Sequence, residues 1–259
     1  MKKQTTFLLI ALLAVLALAG CGLLQEPEAA SGPIEAIPLA TQSAGVVDAP
    51  AEAAADPTTA PTEAAAAETA ATEAPAEASS GATVVFTIDQ SASQVRFQLD
   101  EDLRGERKTV VGTTDQVAGQ LSLNFADLSQ VQVGTIQINA RTLATDNNFR
   151  NRAIQNEILD TDSFEFITFT PTGIEGLPAS AAVGDTVSFS LVGDLTIRDI
   201  TMPATFAVEA TVVSDSQITG SATAIVNRAE YDLQIPSVPN VANVEEEVEL
   251  YIDFTANAS

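Results

Sequence analysis

The 259-residue chain carries 35 Asp and Glu against 11 Lys and Arg, a formal net charge of −24, with no His, no Trp and one Cys. That inventory excludes Ser-His-Asp triads, Cys-His nucleophile pairs, His-ligated metal sites and Cys clusters. The acidic field repels phosphate backbones and anionic headgroups, so neither nucleic acid nor peripheral docking on an acidic membrane is expected.

Lys2 and Lys3 precede an apolar run from Phe7 to Leu18, and Leu18-Ala19-Gly20-Cys21 follows at once. The layout is that of a secretory leader, too short for a comfortable membrane span. The tetrapeptide resembles the bacterial lipobox, in which the leader is cut before a cysteine that receives a diacylglyceryl group. The expectation is a signal peptide over 1–20 and a lipid anchor on Cys21. One acyl chain holds a protein marginally, whereas two or three, such as a diacylglyceryl group with an added palmitate, hold it stably. The protein would then sit at the outer face of the cytoplasmic membrane, or at an outer membrane if one is present. With its single Cys so used, the exported domain has no disulfide to draw on.

Residues 21–82 are dominated by Ala, Glu, Pro and Thr and contain no Lys or Arg. Recurrent Pro forbids a continuous helix, and few large apolar side chains are available to bury. A disordered linker is predicted here, with a random-coil reach of about 40 to 50 Å.

From 83 to 259 the composition turns to Val, Ile, Phe and Thr at period two. Val95, Phe97 and Leu99 alternate with polar residues, as do Leu121, Leu123 and Phe125; Ile136 and Ile138 mark a further strand. The pattern then breaks. Asp146 or Asn147 is placed to cap a helix, and Phe149, Ala153, Ile154 and Ile158 fall on one helical face. Phe164, Phe166, Ile167 and Phe169 resume extended structure. Val187 to Ile197 and Phe206 to Val212 read as an antiparallel pair. Ala222, Ala224 and Val226, then Val248 to Phe254, complete about eight strands with no βαβ spacing. The predicted fold is an all-β, antiparallel, eight-stranded lipocalin-like barrel with one short helix near its mouth, because closure removes the exposed edges.

Several ordered motifs carry a family resemblance over residues 86–256. Ile88-Asp89 with Ser93, Val95 and Phe97 is similar to an opening strand, and Gly119 to Phe125 (GQLSLNF) to a second. Leu143-Ala144-Thr145 leads into FRNRAIQNEILDTDSFEFITF; Gly193 to Arg198 (GDLTIR) is followed by Thr201 and Pro203; Asn227-Arg228 is followed by Tyr231. Together these resemble the YceI-like family of exported, polyisoprenoid-binding barrels. The helix lacks a histidine often found in that family, and Asp199 and Asp232 stand where glycine is common.

The resemblance implies an apolar tunnel that holds an isoprenoid or other long-chain lipid, with no catalysis, no cofactor and no metal. Lining candidates are Phe97, Leu123, Ile138, Phe149 and Ile154, with Phe166, Phe189, Leu195 and Ile197 across the barrel. Arg198 and Arg228 are candidates for a polar headgroup. The partners expected are a hydrophobic ligand and, through Cys21, a membrane, with a homodimer as the assembly to test. A tethered interaction module with a filled barrel is the competing reading. Asp160 and Asp162 are an acid pair without the ligand series of a calcium loop, and read as a helix stop.

Overall fold

The computed structural model describes residues 26–39 and 81–259; the expectations for the leader, for Cys21 and for 40–80 lie outside the described residues. Alternating apolar residues from Val84 onward form thirteen strand segments, all paired antiparallel. They are β1 (Val84–Ile88), β2 (Gln94–Leu103), β3 (Glu106–Thr114), β4 (Val117–Ala118), β5 (Gln120–Asn124), β6 (Asp127–Val133) and β7 (Ile136–Asn139). After the helical interruption come β8 (Phe166–Glu175), β9 (Thr186–Ile197), β10 (Ile200–Ser214), β11 (Gln217–Asn227), β12 (Val241–Ala242) and β13 (Glu247–Ala258).

The sheet follows the order β4-β7-β8-β9-β10-β11-β13-β1-β5-β6. It forks at β13, whose Glu249 to Asp253 pair with β2 while Ala256 to Ala258 pair with β1. The β2 branch adds β3, which returns to the start of the path through paired backbone hydrogen bonds between Thr113 and Ala144. Because β4 and β5 are consecutive across Gly119, the path curls back on itself as a barrel. More segments appear than the eight expected, since β4 and β12 are two-residue pieces and β3 carries little apolar signal. Its inward positions are Val110, Gly112 and Thr114, of which only the first is a large hydrophobe.

The predicted helix is α1 (Asn148–Ala153), which continues as a π-helical turn over Ile154–Ile158. Of the two cap candidates the structure uses Asn147, whose side chain accepts the N–H groups of Phe149 and Arg150. Asp146 instead pairs with Lys108 and Arg150. Of the two Asp residues that stand where glycine is common, Asp232 adopts the left-handed φ of 50°, whereas in the β9–β10 hairpin it is Arg198 and not Asp199 that does so, at φ 57°.

Glu26–Leu39 falls inside the stretch expected to be linker, yet lies along the barrel. Ile34 is buried, and its carbonyl accepts from Gln90. The N–H of Glu28 donates to Asp162 and that of Ser31 to Glu165, and Arg141 donates to the Ala29 carbonyl. Composition missed this because the acceptors and donors belong to the barrel: one buried Ile and side chains that satisfy the backbone hold a segment that could not fold alone.

Candidate functional site

Inward side chains of the two barrel halves form two cavities. The larger, about 400 Å³, lies under α1 and is walled by β2, β7, β9 and β13. The smaller, about 130 Å³, lies toward the opposite end, between β5, β6, β9 and β10. Phe169, Phe206 and Ile252 line both.

Phe97, Ile138, Phe149, Ile154, Leu195 and Ile197 line the larger cavity, and Leu123 and Phe189 the smaller. Phe166 lines neither and is 37% exposed. The reason is strand parity: on β8 it is Ile167 and Phe169 that point inward, opposite Ile138 and Ile136 of β7. Phe149 stands 65% exposed at the mouth although it borders the cavity. The structure also supplies a wall that the sequence reading passed over. Leu233, Ile235, Pro236 and Val238 arch across the mouth opposite α1. The spacing of DLQIPSVPNVANV, with an apolar residue at nearly every second or third position, is the signal that was there to find.

Width is set partly by glycine. Gly112 of β3 stands directly across from Phe97 of β2, and a Cβ built on it would intrude on the Phe97 ring. The same arrangement recurs where Gly220 faces Phe254 and where a Cβ on Gly193 would come within 2.7 Å of the Phe169 ring. Each missing side chain lets an aromatic ring lie flat on the neighbouring strand and leaves the bore open.

Polar side chains in the lining of the larger cavity are few: Arg96 in mid-strand, and Glu101, Asn147, Arg150 and Arg228. Glu101, nearly buried, pairs with Arg150 of α1 at 2.8 Å, and Arg150 also reaches Asp146. Arg228 borders the cavity, but its guanidinium donates to the carbonyls of Leu233, Val244 and Glu245, pinning the arch. Arg198 lies outside both cavities; it donates to the Ile158 carbonyl and sits 5.9 Å from the Phe164 ring centre. Asp160 takes φ 46° in the turn after the helix, and Asp162 accepts from Glu28. What the interior can do is bind without direction: roughly 0.8 kcal/mol for each CH₂ taken out of water.

The family model of the YceI-like domain matches residues 86–256. The chain belongs to the YceI-like family. No curated protein sequence matches it. Among solved structures the chain is similar to a polyisoprenoid binding domain from Saccharophagus degradans implicated in plant cell wall breakdown. That match has a TM-score of 0.54 at 14% identity and covers 68% of this chain and 99% of that one. It is similar also to BcnA of Burkholderia cenocepacia, with a TM-score of 0.50 at 18% identity, covering 66% and 99%. At these identities the likeness is one of fold, and it extends over nearly the whole of both solved chains.

Proposed function

We propose that this YceI-like protein binds and carries a long-chain lipid, an isoprenoid or a similar tail, inside its barrel and catalyses no reaction. It works outside the cytoplasm, held to a membrane through acylated Cys21. The observation that carries the reading is the interior itself: two cavities sharing the walls Phe169, Phe206 and Ile252, apolar throughout the smaller and apolar but for Arg96, Glu101, Asn147, Arg150 and Arg228 in the larger. A chain lying along both would touch few groups that could select for anything but length and girth. The polyisoprenoid-binding relative in Saccharophagus degradans supports the choice of ligand class. An open volume of about 400 Å³ weighs against the filled-barrel alternative.

The test is mass spectrometry of an organic extract of protein purified without detergent stripping. An isoprenoid, quinone or fatty lipid at near-stoichiometric amount is expected. An empty extract, with no uptake of a fluorescent polyprenyl probe, would sink the proposal.

A further inference from the structure

We infer that Glu26–Leu39 is a strap that holds the mouth of the larger cavity against the membrane bearing Cys21; the inference rests on the anchor and lipid-binding readings above. The long Ala/Glu/Pro/Thr stretch is then not the spacer between membrane and barrel.

The strap has a direction. Its first residues sit at the mouth end: the Glu28 carboxylate pairs with Arg141 at 3.0 Å, and its N–H reaches Asp162 in the turn that follows α1. Arg141 also donates to the carbonyls of Thr161 and Asp162, so the strap and the end of the lid are held by one guanidinium. From there the strap runs down the flank. Ile34 lies buried near Gln90, and Leu39 reaches Gln120 and the surface above Gly134. The end nearest Cys21 is therefore the end at the mouth.

Length makes this a constraint. Cys21 is five residues before Glu26, and five residues span at most about 18 Å however they are arranged. The chain of 40–80 leaves from Leu39 and re-enters at Gly81, and both belong to the body that contains the barrel. It adds nothing to the reach of the anchor.

The cations of the barrel also gather at the mouth. Of the nine Lys and Arg between 83 and 259, only Arg96 lies away from it, in mid-strand opposite Tyr251. Arg104, Arg107 and Lys108 occupy the β2–β3 hairpin, Arg141, Arg150 and Arg152 the lid region, and Arg198 and Arg228 the adjoining strand ends. Acidic residues at the far end, such as Asp127, Asp185 and Asp215, have no cation among these elements. Acids on the same elements, among them Glu106, Glu157, Asp160, Glu230, Glu246 and Glu247, outnumber these cations, so it is the strap and its short leash to Cys21, and not charge, that set the orientation. Exposed Phe149 borders the same cavity as Ile235 and Pro236.

Cys21 is the only thiol and is consumed by the anchor, so one introduced cysteine can report position. Full-length acylated protein carrying Ser237→Cys at the mouth, or Asp215→Cys at the far hairpin, would be labelled with a fluorophore. It would then be reconstituted into phosphatidylcholine vesicles brominated on the acyl chains. The expected result is several-fold stronger quenching at 237 than at 215, unchanged when 40–80 are shortened to a linker of about ten residues. Ile34→Asp, or Ser31→Pro, which removes the N–H given to Glu165 without touching the barrel, should erase the difference. Equal quenching at both positions, or quenching that rises at both on shortening 40–80, would overturn the orientation. An intact-mass measurement showing Cys21 unacylated would remove the anchor reading and the strap's role with it, a failure distinguishable from the first.

Discussion

Phe169 and Phe206 meet edge to face, their ring centres 4.8 Å apart and their planes at 66°, where the two cavities join. Both rings are buried and line both cavities, so they stand between the two. Phe206→Ala is expected to merge the cavities and to cost about 3 to 5 kcal/mol of stability. Denaturant unfolding measures the second effect and mass spectrometry of retained lipid the first. A shift toward longer or bulkier ligands is expected, and an unchanged ligand distribution in the folded variant would show that the pair does not limit chain length.

Gly112 and Phe97 make a second, sharper case. Gly112→Ala should push the Phe97 ring off its strand and into the larger cavity, at a cost of about 1 to 3 kcal/mol for overpacking. Lipid retention should fall. Adding Phe97→Leu should recover much of both losses, and a double-mutant cycle reads the coupling. Additive effects would mean that the ring and the glycine do not share the space.

The strap should respond to acid. Burial of the Glu165 carboxyl favours its neutral form, but hydrogen bonds from Ser31 and Asn139 and the charge of Arg141 outweigh that and hold it below its ordinary value of 4.5. A depressed carboxylate contributes stability that is present above its unfolded pKa and lost as pH falls through the folded one. Hydrogen exchange of Glu26–Leu39 should therefore accelerate below about pH 4.3, ahead of the barrel strands. Glu165→Gln should accelerate it already at neutral pH, and exchange indifferent to both changes would contradict the account.

At the alkaline end Tyr231 matters. Burial of its ring, and secondarily the charge of Glu230, push its hydroxyl from 10.0 up to about 12. The fold favours the protonated phenol, so this contribution is complete below pH 10 and drains away as pH climbs toward 12. Tyr231→Phe should flatten the stability profile over that range, as measured by denaturant midpoints at successive pH values. An unaltered alkaline slope would place the titration elsewhere.

The strands with alternating large hydrophobes were legible from sequence, because period two survives wherever one face is buried: β2, β5, β9 and β10 stand where Val95, Leu121, Val187 and Phe206 put them. β3 was not legible, since Gly112 and Thr114 hold inward positions that register as polar in any reading of pattern. Phe166 misled for the opposite reason, a large aromatic on the outward parity of β8. The arch over the mouth was readable in its spacing but lay among prolines that signal a loop. The docking of Glu26–Leu39 had no local signature, because what holds it, Arg141, Asp162 and Glu165, is more than a hundred residues away.

The chain departs the barrel at Leu39 and resumes it at Gly81. A stretch whose two ends belong to one body is released from any requirement on its length. Loop-closure entropy rises only by about 0.6 kcal/mol per doubling, so insertions and replacements there should drift under little selection while the barrel stays where it is. For an engineer it is a graft site: a peptide or small domain inserted between 40 and 80 would join the barrel without altering the walls of its cavities.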